Sequence, residues 1–233
     1  AEAEALGFPG RHALDCRGSH DRSGSRDAHA RLVQQRGDLG VHEVELDERG
    51  RAEPVDEGED AVARLRPKLA GSAGDPALLR EIVWDSLAIK QRFIEQDEFD
   101  KGVRNLLNYG HTFGHAYESA TDYAIPHGIA VTLGVLTATF FSARLGWVPE
   151  DYFRSLQDWL MPYYLPYEAA LLGADPERIL SAMRLDKKNT GDTLGCILTR
   201  GAGRMEKTTL SFDGQARPLL AECLPALSNG RQS

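Results

Sequence analysis

One segment of the sequence, RNLLNYGHTFGHAYESATDYAIPHG, contains three of the chain's seven histidines. On a single helix over residues 102–120, a polar stripe formed by Arg104, Asn108, His111 and His115 falls within an arc of about 60°. Imidazoles bind metals and exchange protons near neutral pH, while amide and guanidinium groups hold anions. This polar stripe is therefore the first candidate for a functional site.

Two glycines, Gly110 and Gly114, lie beside the polar stripe. Each glycine costs a helix about 1 kcal/mol relative to alanine, so the pair predicts close approach by another backbone or by a ligand. Most polar stripes are only solvated helix faces, but those are usually built from Glu, Lys and Gln. The composition of this stripe favours a functional site over a solvated face.

His127 follows Pro126, where a new helix is expected to begin. The positive end of the helix dipole disfavours protonation there, and a neutral imidazole is a competent metal ligand. In a helical hairpin closed by the TDYAIP loop, His111 and His127 can face each other across one Zn²⁺ ion. A capping role at the helix N-terminus explains His127 equally well, so spacing alone leaves both interpretations open.

Basic residues elsewhere in the chain suggest a bound anion. Lys90 lies toward the end of the helix predicted before the polar stripe, and Lys187 and Lys188 lie in RLDKKNTGD. Together with Arg104 they could surround an anionic ligand. Isolated lysines are usually just solvated, and only the neighbouring histidines make these three candidates.

Composition argues against several classes of protein. The 233 residues carry 27 basic and 35 acidic side chains, a formal net charge of −8, which argues against a nucleic-acid-binding protein. Three scattered cysteines, Cys16, Cys196 and Cys223, do not form a disulfide framework, which fits a reducing cytoplasm. The sequence has neither an apolar run of about 18 residues that could span a membrane nor the pattern of a signal peptide.

The chain divides into two unlike parts at about residue 75. Residues 1–74 have few side chains that could build a core, and they contain one strand candidate, GVHEVELDE. Residues 75–233 are predicted to be mainly helical, opened by Asp75 as an N-cap and by Pro76. The expected order is a helix over ALLREIVWDSLAIKQRFIEQ, the stripe helix, a buried helix over HGIAVTLGVLTATFFSARLG, helices in EDYFRSLQDWLMPYYLP and DPERILSAMRLDKKN, two strands, and a closing helix.

Three ordered motifs, IKQRFIEQDEFDKGVRNLLNYGHTFGHAYE, IPHGIAVTLGV and MRLDKKNTG, resemble the C-terminal domain of 3-dehydroquinate synthase and related sugar-phosphate cyclases. The resemblance covers about Asp75 to Leu198. It implies a mainly α fold, the helical C-terminal domain of the dehydroquinate-synthase-like fold. In that family this domain packs against an NAD-binding domain, with the active site in the cleft between them.

By motif, the resemblance implies that His111 and His127 are ligands of a catalytic Zn²⁺, for which Co²⁺ is another candidate. It implies roles in substrate binding or proton transfer for His115, Lys90, Arg104, Asn108 and Lys187. The implied enzyme is a carbon–oxygen lyase that uses NAD to convert a phosphorylated seven-carbon sugar acid into a carbocycle with loss of phosphate, in the shikimate pathway or related secondary metabolism. HGIAV in place of the common HGEAV leaves the sugar phosphate open, and family members are commonly homodimers.

Two departures from the family pattern weaken this interpretation. Residues 1–74 contain no strand, glycine-rich loop and helix in that order, so no NAD domain is recognised. The third zinc ligand is normally a glutamate in G-x-x-E-x-x-K, which Gly40 and Glu43 match only in part because Leu46 replaces the lysine. An exposed strand carboxylate is the more frequent explanation of such a glutamate. A divergent, truncated or mis-framed start of the chain is one hypothesis for these differences.

A second hypothesis belongs to a different class of protein. It is a catalytically inactive helical remnant that serves in binding or oligomerisation, and the missing NAD region favours it. Bound zinc with NAD-dependent release of phosphate would support the enzyme, whereas zinc without turnover would support the remnant.

Overall fold

The computed structural model describes residues 57–185 and 191–228. Helices α1 to α8 are, in order, Glu57–Gly71, Pro76–Gln96, His111–Ala120, His127–Arg144, Glu150–Tyr164, Glu168–Leu172, Pro176–Leu185 and Arg217–Ser228. Strands β1 (Thr193–Thr199) and β2 (Met205–Ser211) form an antiparallel hairpin. The shorter connections are the 3₁₀ helices Val103–Asn108 and Leu165–Tyr167 and the π-helical turn Phe212–Ala216. The prediction of a mainly α fold is confirmed, and no helix in the described ranges has both the length and the apolar character needed to cross a membrane.

Two helices begin where their capping residues predict. The Asp75 carboxylate accepts hydrogen bonds from the backbone N–H groups of Ala77 and Leu78, at 2.9 and 3.2 Å, and Pro76 is the first residue of α2. Asp175 accepts from the backbone N–H of Glu177 at 2.9 Å at the start of α7. These bonds satisfy backbone donors that have no partner within the helix.

Helix α1 lies within residues 1–74, which have few side chains that could build a core. Its sequence, EGEDAVARLRPKLAG, is charged and contains Pro67, so it gives no strong helical signal. Lys68 pairs with Glu81 at 3.3 Å and with Asp85 at 3.4 Å on α2, and the Arg66 guanidinium lies 4.8 Å from the ring centroid of Trp159. The helical region therefore begins upstream of Asp75. The strand candidate GVHEVELDE lies outside the described residues.

Helices α3 and α4 form an antiparallel hairpin at the centre of the core. Ten residues of α4 are buried, which confirms the prediction of a buried apolar helix from His127. Phe113 of α3 packs edge-to-face on Phe141 of α4, with ring centroids 5.0 Å apart. The Tyr117 and Thr137 hydroxyls are 2.7 Å apart, so the hairpin is joined by both apolar and polar contacts.

The glycines beside the polar stripe allow the two helix backbones to touch. A Cβ on Gly110 would lie 2.7 Å from the backbone N of Val135, and a Cβ on Gly114 would lie 2.9 Å from the Cα of Val131. Gly110 also has a φ of 80°, in the left-handed region that side chains disfavour. The prediction that another backbone approaches these glycines is confirmed, and that backbone is α4.

The prediction of one continuous helix over residues 102–120 is wrong. The chain forms the 3₁₀ helix Val103–Asn108, becomes extended at Tyr109 (φ −54°, ψ 126°), turns at Gly110 and only then enters α3. The helix is interrupted at Gly110, which has a positive φ and packs directly against Val131 and Val135 of α4. Arg104 and Asn108 therefore do not share a helix face with His111 and His115.

Replacing Gly114 with alanine tests the backbone contact in the hairpin. The added methyl would collide with Val131 and Ala130 of α4, so we expect Gly114→Ala to lower the free energy of unfolding by about 1–3 kcal/mol. Urea denaturation followed by circular dichroism measures this change. Gly74→Ala is the matched control, because nothing lies within 4 Å of a Cβ at that position. Equal stability of the two variants would contradict the close contact.

Candidate metal and substrate site

The hairpin brings three imidazole rings together at one end. His111 and His115 lie on α3, and His127 is the first residue of α4. Their ring centroids are 5.6 Å apart for the 111–115 pair, 5.8 Å for 111–127 and 5.7 Å for 115–127. Two imidazoles on one tetrahedral Zn²⁺ have centroids roughly 5 Å apart, since each Zn–N bond is about 2.0–2.1 Å. Each pair of rings is therefore close to the separation that one ion needs.

The loop between α3 and α4 fixes where His127 begins its helix. Asp122 and Tyr123 both have positive φ values, and the backbone N–H of Tyr123 donates to the Glu118 carbonyl at 2.8 Å. The guanidinium of Arg178 on α7 binds the Asp122 carboxylate at 2.7 Å and lowers its pKa. The loop is thus tied to both α3 and α7.

Glu118 holds the imidazole of His127. Both carboxylate oxygens of Glu118 lie 3.2 Å from Nδ1 of His127, and the Glu118 side chain is only 13% exposed, whereas that of His127 is 58% exposed. With the proton on Nδ1, His127 donates to the carboxylate and leaves Nε2 free. A carboxylate on the far nitrogen is the usual partner of a metal-binding histidine, because it orients the ring and raises its basicity.

His111 has a similar but weaker arrangement. Its Nδ1 lies 3.4 Å from the carbonyl oxygen of Tyr109, the extended residue before Gly110. With the proton on Nδ1, Nε2 of His111 is the nitrogen that would bind a metal ion. Both histidines proposed as metal ligands therefore have an oxygen beside Nδ1, so the residues present fit a divalent metal.

A different set of donors also comes close together. His115, Glu118 and His127 each place one ligand atom within 4.8 Å of the other two, and His111 does not belong to this group. Direct coordination by Glu118 would compete with its hydrogen bond to His127. We therefore favour His111 and His127 as ligands, with Glu118 as the residue that positions His127.

Arg104 is the second residue of the 3₁₀ helix and is bonded to the turn that precedes it. Its Nη1 donates to the Glu98 carbonyl at 2.9 Å, and its backbone N–H donates to the Asp97 carboxylate at 3.2 Å. Hydrogen bonds from the backbone N–H groups of Lys101 and Gly102 lower the pKa of Asp97, which keeps this carboxylate ionised. Arg104 is thus anchored by backbone and capping contacts rather than by the histidines.

The remaining predicted residues are distributed differently. Asn108 lines a small cavity together with Thr112 and Lys207. Lys90 is exposed on α2. Lys187 and Glu43 lie outside the described residues, so their proposed roles stay predictions from the sequence.

Glu118 belongs to the GHAYE motif, and no role for it was predicted from the sequence. The signal was nevertheless present, because Glu118 follows His115 by three residues and His111 by seven, which places all three near one face of α3. No sequence signal indicated that Lys207 would line the cavity beside Asn108, because its position depends on how the β-hairpin packs.

Removing the charge of Glu118 tests its role beside His127. We expect Glu118→Gln to weaken zinc binding by about 10- to 100-fold, because the carboxylate no longer orients the imidazole. Competition with a chromophoric chelator measures the affinity. Glu222→Gln is the matched control, because Glu222 pairs with Arg144, seventeen residues along α4 from His127 and about 25 Å away. Unchanged affinity in the Glu118 variant would remove this residue from the site.

Comparisons with known proteins agree with the fold and the motifs. The profile of the 3-dehydroquinate synthase C-terminal domain matches residues 57–189, beginning at α1 rather than near Asp75. The 3-dehydroquinate synthase of Xylella fastidiosa (strain M12) is 38% identical over 155 residues, which are 64% of this chain and 42% of that protein. The enzyme of Xanthomonas campestris pv. campestris (strain 8004) is 40% identical over 139 residues, 57% of this chain and 37% of that protein.

The chain spans less than half the length of these relatives. A crystal structure of 2-deoxy-scyllo-inosose synthase aligns with a TM-score of 0.51 at 24% identity, over 63% of this chain and 41% of that one. This likeness supports the fold, which resembles the helical C-terminal domain of dehydroquinate-synthase-like enzymes. Since the family profile covers more than half of the sequence, the chain belongs to the 3-dehydroquinate synthase C-terminal family.

Proposed function

We propose that this chain provides the metal- and substrate-binding part of a 3-dehydroquinate synthase-like cyclase. The substrate class is a phosphorylated seven-carbon sugar acid or a related sugar phosphate. The observation that carries the proposal is the pair His111 and His127, which face each other across the α3–α4 hairpin with Nδ1 of each beside an oxygen. Family membership supports the reaction class, and the geometry supports the metal.

His111 and His127 would hold Zn²⁺ or Co²⁺, with Glu118 fixing the orientation of His127. A divalent ion at this position would polarise a substrate hydroxyl and favour its deprotonation. The exposure of His127 leaves room for a substrate to approach the ligands from solvent. The protein would contribute two metal-binding imidazoles, His111 and His127, held in place on separate helices.

His115 is the candidate for proton transfer. It is exposed, its ring centroid is 5.6 Å from that of His111, and within residues 57–185 and 191–228 its ring nitrogens make no hydrogen bond. An imidazole that has no fixed partner can take a proton from a bound substrate and return it. Asn108, Arg104, Lys90 and Lys187 are proposed, by motif, to hold the hydroxyl, carboxylate and phosphate groups.

NAD does not fit the described residues. They form helices and one two-stranded antiparallel sheet, without the parallel βαβ unit and glycine-rich turn that hold a dinucleotide in such domains. Oxidation of a ring hydroxyl by NAD⁺ is therefore not assigned to any residue here. The family reaction would need the dinucleotide to be held by polypeptide outside these residues.

The lack of a dinucleotide-binding unit in the described residues favours a second candidate function, a catalytically inactive domain that binds metal or a partner. Both functions use the helical hairpin, and they differ in turnover. Incubating the protein with zinc, NAD⁺ and the phosphorylated seven-carbon sugar acid separates them. Release of inorganic phosphate above the rate of the His115→Ala variant supports the cyclase, whereas bound zinc without release supports the inactive domain.

Alanine variants of the three histidines identify the metal ligands. We expect wild-type protein to retain about one zinc per chain after dialysis, and His111→Ala and His127→Ala to lose most of it, since each removes one of few ligands. His115→Ala should keep its zinc. Elemental analysis measures the metal, and circular dichroism checks that each variant is folded. Loss of zinc in His115→Ala with retention in His111→Ala would instead support coordination by His115, Glu118 and His127.

A further inference from the structure

A small cavity lies between the 3₁₀ helix, the first turn of α3 and the β-hairpin. Its volume is about 50 Å³, enough for a few water molecules or one small oxyanion. The lining residues are Asn105, Asn108, Thr112, Gly195, Cys196, Ile197 and Lys207. Thr112 follows His111 directly in α3, so the cavity adjoins the histidine site along the chain.

The β-hairpin directs Lys207 into this cavity. Lys207 on β2 is the register partner of Ile197 on β1, and partners across an antiparallel pair project to the same face of the sheet. Ile197 is 6% exposed and packs on Val103 and Leu106 of the 3₁₀ helix. The lysine stem therefore lies on the face of the hairpin that meets the 3₁₀ helix, while Lys207 as a whole is exposed.

Among the described residues that line the cavity, Lys207 carries the only formal charge and none is a carboxylate. Within the same part of the chain Lys207 has no ion pair. The other titratable lining group is the Cys196 thiol, whose pKa is raised to about 12 by burial, so it is neutral near pH 7. In a chain with a net charge of −8, this is a locally cationic position.

Hydrogen-bond donors accompany the lysine. The side-chain amide of Asn108 makes no hydrogen bond within the described ranges, so it is available to a ligand. The Thr112 hydroxyl donates to the Gly195 carbonyl over a long 3.5 Å contact, which a better acceptor could replace. The Asn105 amide is already used, because it donates to the Asp100 carbonyl at 2.8 Å.

We propose that Lys207, Asn108 and Thr112 form a subsite for a small oxyanion, either a carboxylate or a phosphate, and that Lys207 is its principal binding residue. An ammonium group beside two neutral donors matches such an anion, because charge-assisted hydrogen bonds are stronger than neutral ones. The inference rests on the proposed function only for the source of the anion, which would be the carboxylate or the phosphate of the sugar substrate. Binding of a free anion tests the subsite without turnover.

Titration of the zinc-loaded protein with inorganic phosphate, and separately with acetate, tests the proposal by following the Asn108 side-chain amide resonances in NMR spectra. We expect saturable shifts with at least one anion, and an affinity reduced roughly tenfold in Lys207→Gln. Lys207→Arg should restore most of the binding. Lys101→Gln is the matched control, because Lys101 is exposed and lies over the Phe99 ring.

Tighter binding of phosphate supports a subsite for the phosphate end of the substrate, and tighter binding of acetate supports one for the carboxylate end. The proposal is overturned if Lys207→Gln binds both anions as the wild type does, or if the wild type binds neither. Zinc content is measured in the same samples. Loss of zinc from the wild type would count against the proposed metal site, whereas the anion titration would still decide the role of Lys207.

Discussion

Direct contact between the backbones of α3 and α4 determines the geometry of the site. Gly110 and Gly114 let the helices approach until a Cβ would strike Val131 or Val135. This closeness places His111 and His127, which are sixteen residues apart in sequence, with their ring centroids 5.8 Å apart. The cost of a glycine inside α3, about 1 kcal/mol at Gly114, is offset by burying Phe113 and Tyr117 between the helices.

Hydroxyl groups fix the position of α4 against α3, Tyr109 and β1. The Tyr117 hydroxyl bonds to Thr137, the Tyr109 hydroxyl lies 2.6 Å from Thr139, and Ser142 accepts from the backbone N–H of Thr199 at 3.0 Å. Burial raises the pKa of Tyr117 well above its usual value, so its hydroxyl stays protonated and able to donate. A sliding or rotation of α4 would break these bonds in a buried environment, which is costly. The polar pairs therefore specify one arrangement of the helices that an apolar interface alone would not.

Local signals were sufficient to predict much of the fold. Asp75 with Pro76 and Asp175 with Pro176 mark helix starts that depend only on neighbouring backbone groups. His127 begins α4 as its position after Pro126 predicts, because proline restricts the residue before it and cannot continue a hydrogen-bonded turn. The strands β1 and β2 follow from their composition and the GAGR turn between them.

The other features of the fold and of the candidate site depend on tertiary contacts, which a local sequence pattern does not predict. The glycines predicted a close neighbour, but not that Gly110 would adopt a positive φ against α4 and separate Asn108 from the helix of His111. Glu118 acquires its role only because the hairpin returns His127 to it, and Lys207 because the β-hairpin packs on the 3₁₀ helix. Charged α1 contacts α2 through Lys68 and Trp159 through Arg66, and neither contact is visible in its own sequence.

X-ray absorption at the zinc edge of the metal-loaded protein tests the central claim most directly, because it reports the atoms bound to the ion without substituting any residue. The account predicts nitrogen scatterers at about 2.0–2.1 Å together with the outer-shell signals of at least two imidazoles. A first shell made only of oxygen atoms, or a protein that binds no zinc, would contradict it.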